Sequence, residues 1–155
     1  MSGTPPKDRK PVYPPVFFLI ALLTMVGVHF LFPWRDLGLG ILRVVGLIPI
    51  AAGVALAIWG SSLFTRAGTT IKPFETSSSL VISGPFRYSR NPMYLGMVLV
   101  LAGVGVLLGS AAPFAVVPLF ALLIDRRFIR REEADLEAVF GEGYRNYRAR
   151  VRRWL

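Results

Sequence analysis

The sequence predicts an all-α integral membrane protein with about four transmembrane helices, and three observations predict it. Apolar residues make up 54% of the 155-residue chain and come in unbroken runs, not in alternation with polar ones. Those runs have the lengths of single or paired bilayer spans. The net charge of +9 is concentrated in alternate connecting segments, the pattern that orients helices across a membrane. The length allows one domain, taken here as 1–155.

Residues 1–15 are polar and Pro-rich, carry Lys7, Arg9 and Lys10, and read as a flexible arm. Residues 16–32 follow without a formal charge, a run long enough for a minimal spanning helix. A basic arm before an apolar run also describes a signal peptide. No small-x-small cleavage site follows Phe32-Pro-Trp-Arg35, so a retained first helix is expected. His29, near its far end, reads as a hydrogen-bonded interfacial residue. After a short loop at 33–43, residues 44–64 give a second span. Pro49 is expected to kink it, while Gly46, Gly53 and Gly60 suit close helix contact.

A polar segment, 65–90, separates this span from a long stretch with no formal charge at all, 93–124. At about 1.5 Å per residue that stretch is too long for one span and slightly short for two. Gly109-Ser-Ala-Ala-Pro113 supplies a turn, predicting a tight hairpin of helices over 92–109 and 112–128, with 129–155 as a cytosolic helical tail. Gly103-Val-Gly105-x-x-x-Gly109 has the flavour of a nucleotide loop. It lies inside a predicted span with no preceding strand, so helix packing explains it better.

Four spans would put both termini and the 65–90 loop on one side. That side holds three Lys or Arg in the arm, four in the loop and nine after Ile124, whereas the other holds only Arg35 and Arg43. Sixteen against two is a strong positive-inside signal, so the expectation is a multi-pass protein of the cytoplasmic (inner) membrane with both termini cytoplasmic. The charge then implies no nucleic acid, and no aromatic-interleaved basic motif is present. Without Cys and with one His, disulfides, thiolate sites, a His-based zinc site and a Ser-His-Asp triad lack support, and no metal is expected.

One polar, basic, turn-rich stretch interrupts the apolar pattern: Gly84-Pro-Phe-Arg-Tyr-Ser-Arg-Asn-Pro-Met-Tyr-Leu-Gly96. Asn91-Pro92 has the chemistry of a helix start, with Asn as cap and Pro at the first helical position. The amide donors of that turn, with Arg87 and Arg90 beside them, predict a pocket for an anionic group. In the tail, a helical wheel with Phe128 at zero and about 100° per residue puts Leu136, Val139, Ile129 and Phe140 on one stripe. Glu132 falls inside the stripe, Glu133 on its edge, and Glu137 on the outer side. An acid there should meet a cation or hydroxyls, either as a structural ion pair with Arg87 or Arg90 or as a binding group.

Gly84-x-x-x-x-x-Arg90-Asn91-Pro92-x-Tyr94-x-Gly96, then Glu132-Glu133-x-x-Leu136, then Phe140-Gly141-x-x-Tyr144-x-x-Tyr147-x-x-x-Val151 resembles the isoprenylcysteine carboxyl methyltransferase family, a relative of the membrane phospholipid methyltransferases. The resemblance covers roughly residues 65–155. It implies S-adenosylmethionine held at the cytosolic membrane face, and a lipophilic acceptor that enters from the bilayer lipids. Carried over by position, it implies cofactor contacts at Ser78, Ser79, Leu80, Val81, Phe86, Asn91, Pro92, Met93, Tyr94, Glu132 and Glu133. It implies a catalytic role for Arg90 and an acceptor pocket at Phe128.

Members that act on prenylated cysteine usually have His where Ser78 and Asn91 stand, and an acceptor-gripping Arg where Phe128 stands. The resemblance therefore implies methyl transfer to an acceptor other than prenylcysteine. Two readings stand beside it. A sterol-type membrane reductase using NADPH should want more Arg around the loop for the 2′-phosphate. A non-enzymatic membrane module with a lipid-binding basic tail leaves Glu132 on the apolar stripe without a reason.

Overall fold

The computed structural model describes residues 13–32, 37–68 and 79–155. The basic arm with Lys7, Arg9 and Lys10 lies outside these, as do Arg35 and Ser78. Among the described residues the chain is helical and no strand forms.

Helix α1 spans Pro14–Leu31 and opens on two prolines, whose fixed φ and missing N–H suit a first turn. Helix α2 spans Leu47–Arg66 and is preceded by a 3-10 helix over Gly40–Gly46. Pro49 therefore falls in the first turn of α2 and does not kink a helix midway, which corrects the expectation. In a continuous α-helix its ring would meet the carbonyl of Val45, and the tighter winding of residues 40–46 avoids this.

Helix α3 spans Pro92–Leu108 and stops at Gly109, which takes a left-handed φ of 67° and donates its N–H to Gly105 and Val106. A 3-10 turn over Ala112–Ala115 leads into α4, Val116–Ile124. Helix α4 runs without a break through one π turn, Asp125–Ile129, into α5, Arg130–Phe140. Gly141, at φ 52°, turns the chain into α6, Glu142–Arg150.

Helix α3 is central, with α2 on one side and α1 and α4 on the other. Glycines set the α2–α3 distance. A Cβ on Gly53 would meet the Gly96 carbonyl, and one on Gly103 would meet the Gly46 carbonyl. A Cβ on Gly105 would come within 3.1 Å of the Phe114 ring, so the glycines of 103–109 serve packing and a helix stop. On the other side of α3, Ala21, Met25, Tyr94, Leu101, Phe120, Ile124, Phe128 and Ile129 form the buried core.

The bundle has two distinct ends. At one, His29 Nδ1 lies 2.7 Å from the buried Ser110 hydroxyl and the Leu37 N–H donates to Gly109, so His29 is hydrogen-bonded as its position predicted. At the other gather the start of α1, the end of α2, the start of α3 and the π turn. Phe17 there meets Phe128 edge-on at 5.5 Å, and Gly60 approaches Met93. Pro14–Leu31 and Gly40–Arg66 are long and apolar enough to cross a membrane, with mean hydropathies of 2.0 and 2.3.

Candidate active site

The site is built at the second end, from the segment before α3, the π turn, α5 and the last residues of the chain. Residues 79–83 run irregularly, with the Ser79 hydroxyl donating to Ala67 at 3.4 Å. A 3-10 turn, Gly84–Arg87, then folds against α2: Gly84 takes φ 59° beside Trp59 and Leu63, and buried Phe86 meets Phe64 edge-on at 5.4 Å. The Phe86 carbonyl accepts the Tyr147 hydroxyl of α6 at 2.7 Å. Arg87 is exposed.

The chain's last residues cross over the entry to α3. The Arg90 N–H donates to Arg152 at 3.0 Å, the Ser89 hydroxyl to the Arg153 carbonyl at 3.3 Å, and Asn91 Nδ2 to the same carbonyl at 3.1 Å. Asn91 does precede the helix, but its side chain makes no cap. It holds the tail instead, so the expected open anion pocket at this helix start is covered by residues 152–153.

The two adjacent acids of α5 have different partners. Glu132 Oε1 accepts the Tyr94 hydroxyl at 2.7 Å. Burial pushes the Glu132 carboxyl above its ordinary value, the Tyr94 bond opposes that, and the Asp135 charge adds to it. Glu133 is only 7% exposed and is gripped by two guanidiniums. Arg90 Nη2 lies 2.9 Å from its Oε1, and Arg153 donates from Nη2 at 2.6 Å and from Nε at 3.1 Å. Arg153 also reaches Asp125 at 3.1 Å, which accepts Arg130 Nε at 2.9 Å. The Glu133 bond and charges outweigh the desolvation of Arg153 and raise its already high pKa.

Several expectations shift on this geometry. The ion pair considered for Glu132 is made by its neighbour Glu133, and with Arg90. Arg90, expected to be catalytic, is occupied by Glu133 and by the Arg148 carbonyl at 3.1 Å. The continuous wheel misplaces the tail, because Val139 is 49% exposed while Glu133 is buried. The π turn widens the helix at 125–129 and resets the register of all that follows. Phe128 is 1% exposed and lies within the core beside Tyr94 and Met25. Arg127 points outward over the Phe17 ring at 5.7 Å.

The structure thus brings Phe86, Arg90, Asn91, Pro92, Tyr94, Glu132 and Glu133 to one end of the bundle with Phe128 beneath. Met93 turns to α2. Ser79, Leu80 and Val81 lie on the approach, and Ser78 lies outside the described residues. Arg153, Asp125 and Ser89 were not singled out by the sequence, whereas Tyr147 was named in the tail motif without its Phe86 partner. Asp125 had a visible signal, as the first charge after a long apolar run, but nothing in local spacing pointed to Arg153.

The phospholipid methyltransferase family profile matches residues 41–143, about two thirds of the chain. An uncharacterized protein of Haemophilus influenzae is 43% identical over 63 residues, which cover 41% of this chain and 100% of that protein. A protein-S-isoprenylcysteine O-methyltransferase of Schizosaccharomyces pombe is 33% identical over 99 residues, which cover 59% of this chain and 41% of that enzyme. No solved structure matches significantly.

Proposed function

The chain belongs to the phospholipid methyltransferase family, and on that premise we propose that it transfers a methyl group from S-adenosylmethionine to a lipophilic acceptor at the cytosolic face of the cytoplasmic membrane. α1, residues 40–66, α3 and α4 cross the bilayer, α3 and α4 form a hairpin, and both termini are cytoplasmic. Large apolar side chains on the outer faces, such as Leu23 at 64% and Ile48 at 67% exposure, support this, because lipid is the solvent that favours them there. The Lys and Arg bias supports the orientation. The chain from Arg130 to the C-terminus then lies in the cytosol with the ionic cluster.

The observation that carries the reading is the 2.7 Å bond from Tyr94 to Glu132. It joins two distant sequence blocks at the mouth of the apolar bundle. S-adenosylmethionine supplies a methyl group activated on a sulfonium. The residues present fit such a cofactor: a half-buried carboxylate held by a hydroxyl, with no ion pair among the described residues, suits its ammonium or its ribose hydroxyls.

Glu132 binds, and Tyr94 orients it. Phe128 and Phe86 exclude water and line the apolar side, while Arg90 and Glu133 hold the framework. In-line methyl transfer needs no proton moved by the protein beyond that of the acceptor, so alignment is the main contribution. Phe128 offers no charge to a carboxylate acceptor, so prenylcysteine is not the acceptor proposed.

Calorimetric titration of the purified protein with S-adenosylmethionine, S-adenosylhomocysteine and NADPH tests this. Both adenosyl compounds should bind, and Glu132→Gln should weaken them more than Glu137→Ala. Binding of NADPH alone would favour a reductase, and binding of none would sink the enzyme reading.

A further inference from the structure

Buried side-chain polar atoms rarely go without a hydrogen-bond partner, because an unpaired buried donor loses its water and gains nothing back. Two such atoms fall in one cluster. Among the described residues the Tyr144 hydroxyl has no partner although Tyr144 is 1% exposed, and Arg90 Nε has none although the Arg90 side chain is 10% exposed.

Both groups are held from other directions. The Arg90 guanidinium gives Nη1 to the Arg148 carbonyl at 3.1 Å, one turn beyond Tyr144 on α6, and Nη2 to Glu133 at 2.9 Å. The Tyr144 ring packs edge-on against Tyr147 at 6.1 Å, and Tyr147 is pinned to the Phe86 carbonyl. Burial, then the Glu133 charge, pushes the Tyr144 hydroxyl up to about 12, with Arg90, Arg148 and Arg153 opposing. At neutral pH the Tyr144 hydroxyl is therefore a donor, as a guanidinium N–H always is.

We propose that the Tyr144 hydroxyl and Arg90 Nε form a carboxylate-binding subsite that receives the amino-acid carboxylate of the methyl donor. The proposal rests on the function proposed above and divides the donor between two places. Glu132 takes a cationic or hydroxyl part, and Tyr144 with Arg90 takes the anionic end. The existing carboxylates in the cluster do not fill the role. Glu133 accepts from Arg90 Nη2 and twice from Arg153, and Asp125 accepts from Arg153 and Arg130. Yet one guanidinium N–H and one hydroxyl remain, both able to donate to an oxygen anion.

The test compares Tyr144→Phe with wild type against S-adenosylmethionine and its decarboxylated analogue. The variant removes one oxygen that has no partner among the described residues, so ligand-free thermal stability should be unchanged or slightly higher. Affinity for S-adenosylmethionine should fall about ten- to hundredfold, as for loss of a hydrogen bond to a charged group. Affinity for the decarboxylated analogue should not change. Equal losses for both ligands, or no loss for either, would overturn the subsite.

Tyr147→Phe is the contrasting control, because it loses a bond to Phe86 and should lower stability. Should Tyr144→Phe not fold, 3-fluorotyrosine at position 144 gives a second readout. Its fluorine resonance should shift with S-adenosylmethionine and not with the decarboxylated form, and a matching shift with both would refute the placement. If wild type binds neither compound, the function proposed above fails along with this inference. If wild type binds and Tyr144→Phe binds equally, only the subsite fails.

Discussion

Gly53→Ala should separate α2 from α3, and the structure sets the size of the effect. A Cβ at Gly53 meets the backbone carbonyl of Gly96, Val100 Cγ2 at 2.9 Å and Leu99 Cβ at 3.1 Å. The reciprocal approach is equally close, with the Gly53 carbonyl 2.5 Å from a Cβ on Gly96. The Gly96 and Gly53 carbonyls are backbone, so no rotamer change relieves the contact. Reaching the ordinary carbon separation of about 3.5–4.0 Å requires the helices to part.

Overpacking of this kind costs about 1–3 kcal/mol, partly masked by the gain of about 1 kcal/mol when Ala replaces Gly in a helix. Gly27→Ala in α1 isolates the masking contribution, since nothing among the described residues lies within 4 Å of a Cβ there. In one detergent, thermal unfolding of Gly53→Ala should fall below that of Gly27→Ala by about 3–10 °C. Cofactor affinity should fall with it, because α3 carries Tyr94 to Glu132. Gly60→Ala should lie between the two, since its nearest atom is the flexible Met93 side chain at 2.9 Å. Equal melting of Gly53→Ala and Gly27→Ala would refute the packing argument.

Glu132 gives a pH prediction. Its folded carboxyl titrates above the ordinary value of 4.5, so the stability linked to it is full below that value and lost as pH rises through the folded one. Glu132→Gln keeps an oxygen for the Tyr94 hydroxyl, so it should flatten this pH dependence, melt higher than wild type at neutral pH and bind the cofactor less well. Identical pH slopes would contradict the burial argument. Arg153→Ala should destabilise by about 3 kcal/mol or less: a buried acid loses a cation, but Arg153 is 33% exposed and Arg90 remains. Chemical unfolding beside the exposed Arg150→Ala is the check, and equal midpoints would show the clasp to be idle. Phe128→Arg should lower stability sharply, as it places a charge in the apolar core, and a normal melting temperature would show that Phe128 is not enclosed.

What was legible in the sequence was what one-dimensional patterns carry. Apolar runs marked the helices, Gly109 the break after α3, and Gly46, Gly53 and Gly60 the face that α3 packs against. The Tyr94 and Glu132 blocks were each legible as motifs, and their direct bond is what the fold adds. What was hidden depended on register and on long-range contact. A wheel assumes one constant angle per residue, and a single π turn at 125–129 breaks that assumption for every residue after it. The carbonyls of Arg152 and Arg153 hold Ser89, Arg90 and Asn91, and backbone acceptors leave no mark on sequence. Asn91 was readable as a residue that bonds near a helix start, but its partner was not.

The contrast between Glu132 and Glu133 ties these points together. They are adjacent in sequence and chemically identical, yet one faces two guanidiniums and the other a neutral phenol. A carboxylate already paired with Arg90 and Arg153 has little left to offer a ligand, and removing it would strand two cations. A carboxylate held by a hydroxyl is oriented without being neutralised, and burial keeps its charge costly until a cation or a pair of donors arrives. Glu133 therefore stabilises the end of the bundle, and Glu132 is the acid that gains most from binding. The same division accounts for the partners of Arg90. It anchors Glu133 and α6 with two of its nitrogens, and the third has no partner among the described residues, so the framework beside Glu132 also presents positive charge at the same end of the bundle.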